Sequence, residues 1–142
     1  MIDAHLHLWK KQQGMVNGLP VYDLGGGKSQ FGAVVRQMMP AYMTDGFNSV
    51  ERLLANMDFA QVAGAVVTQE YIDGNQDSYL RQIRQEHPVR IRVSALYEEN
   101  GLPDISGMDG IKICAGRLKD QDLTHHEAVF AHAAANDRFI GI

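Results

Sequence analysis

The chain has one cysteine, Cys114, in 142 residues, so no disulfide can form within it. Proteins without disulfides are typical of reducing compartments. The N-terminus also lacks the basic and then apolar layout of a secretory signal peptide. From these two absences we expect a cytoplasmic protein.

Long apolar runs and clustered positive charge are missing too. No apolar run reaches the roughly 18 residues that a membrane-spanning helix needs. The 13 Lys and Arg residues are outnumbered by 17 Asp and Glu, for a formal net charge of −4, and they form no basic stripe. A nucleic-acid surface needs such a stripe. We therefore expect neither a nucleic acid nor a membrane as the partner.

What is present describes one globular domain over residues 1–142. The sequence is 45% hydrophobic and 21% charged, which suffices for a core in a chain of this length. The opening stretch, MIDAHLHLW, alternates with period 2 and predicts a strand over residues 2–9. One face of that strand is apolar: Ile2, Ala4, Leu6 and Leu8. The other face carries Asp3, His5, His7 and Trp9.

The pair His5 and His7 has two interpretations. Their Cβ atoms lie roughly 6.5 Å apart on one face of a strand, close enough for both imidazoles to reach one metal ion. Alternatively, they are polar residues on the solvated face of a half-buried strand. Asp3 lies on the same face, where it can hold the tautomer of a ligating imidazole from behind.

The rest of the chain alternates helices with strands after a long excursion over residues 10–45. A short helix is predicted within the excursion at 33–39, ended by Pro40. Further helices are predicted over 48–62, capped by Asn48 with Glu51 three residues later, over 75–86, and over 124–137 with a Thr124–Glu127 capping box. Strands are predicted over 65–69, 90–97, 110–114 and 139–142. This α/β order implies a parallel sheet, either doubly wound and open or part of a (β/α)8 barrel.

Several other motifs are candidates for function. GGGKS (25–29) resembles a phosphate-binding loop, but the motif requires a glycine where Tyr22 stands, so a glycine-rich turn is the better interpretation. Gln69 ends a strand, where ligand crevices of α/β folds lie. The four later histidines (His87, His125, His126 and His132) lack metal-ligand spacing and are expected on turns and helix surfaces.

Lys112 lies within the strand GIKIC, on the face opposite Ile111 and Ile113. An unpaired buried ammonium is costly, so Lys112 should contact an acid, a substrate anion or a wet cavity. As a carbamate it would be a metal ligand. Cys114 on the same face is expected to be a small buried residue rather than a ligand.

Three stretches resemble the amidohydrolase superfamily: MIDAHLHLW, residues 37–62, and residues 57–69. The nearest resemblance is to the amidohydrolase 2 group of predicted TIM-barrel metal-dependent hydrolases, which includes lactonases and a decarboxylase branch. The resemblance implies the first half of a (β/α)8 TIM-barrel, strands one to five with their helices. It implies an apparently truncated single domain with open sheet edges that favour homo-oligomers.

The resemblance also implies a site. His5 and His7 correspond to the paired metal ligands on strand one, with zinc, or else manganese, as the divalent ion. Lys112, Trp9 and Gln69 are expected to contact a small-molecule substrate. The general-base aspartate is expected beyond residue 142.

The implied activity is hydrolysis of a lactone or related ester or amide by metal-activated water. Two alternatives stand beside it. One is a catalytically incomplete fragment that serves as an interaction remnant. The other is a metal-dependent decarboxylase of the same superfamily.

Overall fold

The computed structural model describes residues 1–42 and 46–142; the predicted end of the excursion at Asp45 lies outside the described residues. The elements follow in the order β1 (Ile2–His7), β2 (Met15–Val16), β3 (Leu19–Asp23), β4 (Lys28–Phe31), β5 (Val34–Gln37), α1 (Val50–Phe59), β6 (Gly64–Thr68), α2 (Asp77–Glu86), β7 (Ile91–Leu96), β8 (Gly110–Lys112), α3 (Glu127–Ala135) and β9 (Phe139–Gly141). Among them, no helix is long and apolar enough to cross a membrane.

Five strands form one parallel sheet in the order β1-β6-β7-β8-β9. Each pairs in parallel register with its neighbour, as His7 does with Thr68 at the end of β1. The sheet curls into a half-barrel. The predicted α/β architecture and its parallel sheet are therefore confirmed, and the described strands account for part of a barrel.

The two faces of this sheet differ in chemistry. The outer face packs against the helices through a core of fully buried residues: Val67, Leu80, Ile83, Ile91, Val93, Ile111, Ile113 and Val129. By strand alternation, the intervening residues face the inside of the half-barrel. Those residues include His5, His7, Thr68, Ser94, Lys112 and Gly141. The register of β1 against β6 shifts between Asp3 and Leu6, so Asp3 pairs with Ala65 of the outer, core-facing set. The apolar alternation of β1 is thus what places its histidines inside.

The excursion after β1 is a four-stranded antiparallel sheet, β2-β3-β4-β5. The helix predicted over 33–39 is wrong, because Val34–Gln37 is a strand. Gly32, with a φ of 57°, supplies the left-handed residue of the hairpin turn between β4 and β5. The β-branched pair Val34 and Val35 then pairs across to β4. The many glycines in this segment interrupt any alternating pattern from which these short strands could be predicted.

Two predicted helix caps also differ from the structure. Ser49, not Asn48, caps α1: its Oγ accepts a hydrogen bond from Arg52 N at 3.4 Å. Asn48 instead donates through Nδ2 to the carbonyl of His7 at 2.8 Å, which ties β1 to the start of α1. The capping box is wrong, since Thr124 lies in a 3-10 turn and donates to Asp122.

Candidate functional site

The carboxyl ends of the inner strands bring His7, Thr68 and Lys112 to one edge of the half-barrel. His7 pairs in register with Thr68. A Cβ placed on Gly141 would lie 3.8 Å from Lys112 Cδ and 3.9 Å from Thr68 Cγ2. These three residues therefore share the inner face at the end where barrel enzymes carry their active sites.

His5 and His7 lie side by side on β1. Their ring centroids are 5.0 Å apart, with the planes at 78°. His7 Nδ1 lies 3.3 Å from the carbonyl of Thr68. Because a carbonyl can only accept, Nδ1 must carry the proton, and Nε2 keeps a lone pair for a ligand. Burial, with a further contribution from His5, lowers the pKa of His7, which favours the neutral form that metal binding requires.

This donor set fits a metal only in part. No group of three or more His, Cys, Asp or Glu residues that could hold a metal ion occurs within 1–42 and 46–142. A catalytic zinc normally has three protein ligands, so His5 and His7 would supply two of them. Asp3 accepts a hydrogen bond from the backbone N–H of His5 at 3.1 Å. Its contact is therefore with the main chain rather than with an imidazole.

Lys112 is 6% exposed. Its ammonium forms no hydrogen bond or ion pair within the described residues, so the structural ion pair considered from the sequence is not found there. The positive charge of Lys112 contributes to the lowered pKa of His7, which places the two groups near each other. A buried, unpartnered cation on the inner face is suited to an anion from outside the chain.

Glu70 and Arg117 border the same edge, and Arg117 was not singled out from the sequence. Arg117 Nε lies 3.4 Å from Glu70 Oε1. The negative charge of Glu70 raises the pKa of His7, against the larger lowering by burial. Cys114 is buried, as predicted, and burial raises the pKa of its thiol to about 12. It therefore stays a thiol at neutral pH. Glu70 directly follows Gln69 at the end of β6, and that position was the available signal.

Gln69 and Trp9 are engaged by the protein itself. Gln69 Nε2 donates to Asp77 Oδ1 and to the Ser94 carbonyl, both at 2.7 Å, and its Oε1 accepts from Gln76 N at 2.7 Å. Trp9 is buried and donates through Nε1 to the Gly46 carbonyl at 3.0 Å. Both residues brace the end of their strand, and their substrate contacts stay predictions.

A buried polar network links the antiparallel sheet to the half-barrel. Ser29 Oγ donates to Gln12 Oε1 at 2.7 Å, and Gln12 Nε2 donates to Asp73 Oδ1 at 3.3 Å. Gln76 Nε2 then donates to the Asp73 carbonyl at 2.8 Å. Asp73 is 3% exposed. Burial is the main cause that raises its pKa from 3.8 to about 7.

We expect Asp73→Asn to stabilise the protein above neutral pH. The native state holds the Asp73 proton up to a higher pH than the unfolded chain, so wild-type stability falls as the pH rises from about 4 to about 7. The Asp73→Asn variant has no carboxyl group to ionise at this position, so its stability does not fall over this pH range. Urea unfolding should show it more stable by about 4 kcal/mol at pH 8, with the difference shrinking toward zero near pH 4.

The exposed Asp137 provides the control for this pH profile. Its backbone φ of 54° suits asparagine, so Asp137→Asn should leave the profile unchanged. A constant difference between wild type and Asp73→Asn at all pH values would show that Asp73 is not the titrating group.

One of the later histidines departs from expectation. His126 is 8% exposed rather than on a helix surface. Its Nε2 lies 3.3 Å from Asp120 Oδ1, and its Nδ1 lies 3.0 Å from the hydroxyl of Tyr97. His125 is exposed, as predicted, and contacts Asp120 at 2.6 Å. The loop before α3 brings this cluster together, which spacing alone did not indicate.

Comparison with known proteins supports the fold. No protein-family model matches the chain, and no curated protein matches it in sequence. Among solved structures, it is similar to a probable 2-pyrone-4,6-dicarboxylic acid hydrolase from Acinetobacter baumannii, crystallised with citric acid bound. The TM-score is 0.63 at 14% identity, over 98% of this chain and 47% of that one. The chain thus spans about half the length of that hydrolase and shares its fold over that half.

Proposed function

We propose that this chain carries part of the active site of a metal-dependent hydrolase that opens a lactone or a related ester or amide. The observation that carries the proposal is the His5–His7 pair on the inner face of the half-barrel. The structural likeness to a hydrolase supports the same class. The remaining ligands and the general base would come from outside the described residues.

In this proposal His5 and His7 would hold a divalent ion, zinc or manganese. Such an ion supplies water acidic enough to attack a carbonyl near neutral pH. The Thr68 carbonyl orients the His7 ring through Nδ1, and burial favours the neutral form of that ring. These are the two conditions that the protein must provide for a ligating imidazole.

Lys112 would bind a carboxylate of the substrate. Lys112 is a buried residue on the inner face, and its ammonium has no hydrogen bond or ion pair within the described residues. The similar solved structure is named for a dicarboxylic acid substrate and holds citric acid. A lactone that carries a carboxylate is therefore the substrate class that we propose, with Trp9 and Gln69 bordering it.

A second candidate function is that of a catalytically incomplete interaction fragment. It is favoured by the donor set, which supplies two imidazoles and no third ligand within the described part of the chain. The outer strands of the half-barrel sheet, β1 and β9, each have one neighbour, and such edges can pair with another chain. Decarboxylation by a similar site would be recognised by release of CO2.

We expect the protein, supplied with Zn2+ or Mn2+, to hydrolyse 2-pyrone-4,6-dicarboxylate or a simpler carboxylated lactone. Lys112→Met should lower kcat/KM on the carboxylated lactone by about 100-fold, because a charge-assisted contact is lost. The same variant should change hydrolysis of an uncharged lactone much less. Steady-state assays with both substrates measure the difference.

Lys119→Met is the matched control, since Lys119 is exposed. It should leave both rates unchanged. A wild-type protein that binds metal but hydrolyses neither lactone would support the interaction fragment. Equal losses on the two substrates in Lys112→Met would overturn the carboxylate contact.

A further inference from the structure

A cavity of about 270 Å³ lies between the antiparallel sheet and the loops that follow β6 and β8. Its walls are largely apolar. Leu19, Phe31 and Val34 contribute from the antiparallel sheet, and Ile72 contributes from the half-barrel side. Leu19 is 48% exposed and Val34 is 50% exposed. Exposed apolar groups that converge on one concave surface are typical of a ligand site.

Two arginines give this cavity its charge. Arg36 and Arg117 both line it, and no acidic residue does. Arg36 has no hydrogen bond or ion pair from its side chain within residues 1–42 and 46–142. Arg117 uses Nε for Glu70, which leaves its two terminal nitrogens for another acceptor. A guanidinium presents paired donors that match the two oxygens of a carboxylate.

We propose that this cavity binds a small carboxylate with an apolar body. The carboxylate lies on Arg36 and Arg117, and the body covers Leu19, Phe31 and Val34. The volume is just below the roughly 300–1,000 Å³ of typical small-molecule pockets, so the ligand is small. The site goes beyond the proposed hydrolase, since binding there needs neither metal nor turnover.

The cavity adjoins the candidate active site through Arg117. This residue lines the cavity and contacts Glu70, whose charge acts on the pKa of His7. The antiparallel sheet therefore contributes to a binding site, which its position in the chain between β1 and α1 does not indicate. It forms one wall of a pocket beside the carboxyl edge of the half-barrel.

The test is an NMR titration of the metal-free 142-residue chain with 3-phenylpropanoate. Saturable shifts are expected at amides of residues 16–38, 72 and 117. The uncharged 3-phenylpropanamide should bind about 10-fold more weakly because it lacks the charge-assisted contacts. Acetate, which has the charge without the apolar body, should be weaker by at least the same factor of about 10.

Arg36→Gln and Arg117→Gln should each weaken binding of 3-phenylpropanoate by about 10-fold. Val34→Asp should abolish it, because the new carboxylate competes for the guanidinium groups. Arg138→Gln is the control, since Arg138 is exposed and lies outside this cavity. Unchanged spectra elsewhere in each variant establish that the fold is retained.

Three results would overturn the site. They are equal affinity for the acid and its amide, shifts confined to residues outside the cavity, and no saturable shift up to about 10 mM. None of them bears on metal binding or lactone hydrolysis. The cavity and the proposed hydrolase therefore succeed or fail separately.

Discussion

Replacing both His5 and His7 by alanine removes most of the Zn2+ affinity of the chain. We expect a loss of about 100-fold or more, because the two imidazoles are the ligands that the described residues offer on the inner face. His7 contributes strongly since its Nδ1 contact with Thr68 fixes the ring and leaves Nε2 for the metal. Isothermal titration with Zn2+ and with Mn2+ measures the change.

The matched control removes two imidazoles from elsewhere in the molecule. His125 contacts Asp120 in the loop before α3, and His132 contacts the Pro103 carbonyl. The double variant His125→Ala/His132→Ala should keep the wild-type Zn2+ affinity. If it loses as much affinity as the His5→Ala/His7→Ala variant, the chain binds metal nonspecifically and the ligand assignment is wrong.

Gly14→Ala detaches the antiparallel sheet from the half-barrel. A Cβ at Gly14 would lie 1.6 Å from the carbonyl oxygen of Tyr71 and 2.6 Å from the carbonyl carbon of Ile72. Both are main-chain atoms and cannot turn aside. The backbone of Gly14 also donates to the Ile72 carbonyl and accepts from Val21 N. We expect a loss of about 3 kcal/mol or more in the stability of this sheet.

Hydrogen exchange separates this loss from global unfolding. The amides of Met15 and Val21, which bond to Tyr71 and Gly14, should lose protection in Gly14→Ala. The amide of Val93 in the core strand β7 should keep it, since stability is not uniform across a fold. Gly116→Ala is the control, because a Cβ there meets no atom within 4 Å. Equal loss of protection at all three amides would show one cooperative unit instead.

Local pattern predicted the half-barrel well because its strands and helices each bury one side. Alternation in β1 separated Leu6 and Leu8, which belong to the core or pack on it, from His5 and His7. The order of later strands and helices, including the helix-free link before β8, followed from the same logic. A strand that faces helices on one side must be apolar on alternate residues, and that requirement is visible in sequence.

The antiparallel sheet was not predicted, because its strands do not each bury one apolar side. Its strands are two to five residues long and mostly exposed, so they have little apolar pattern to display. Their stability comes from contacts with distant segments. The network from Ser29 through Gln12 to Asp73 and the backbone bonds of Gly14 are examples.

The sequence by itself determined the parallel α/β architecture and the common face of His5 and His7. Both depend on periodicity, which is a local property of the chain. Only the tertiary structure decided that Lys112 is buried without a partner, that Gln69 is held by Gln76 and Asp77, and that Arg36 meets Arg117 across a cavity. Those relations join residues far apart in the chain. Lys112 and Gln69 lie at one edge of the half-barrel because parallel strands have their carboxyl ends there. Arg36 and Arg117 line one cavity because the antiparallel sheet lies beside that edge.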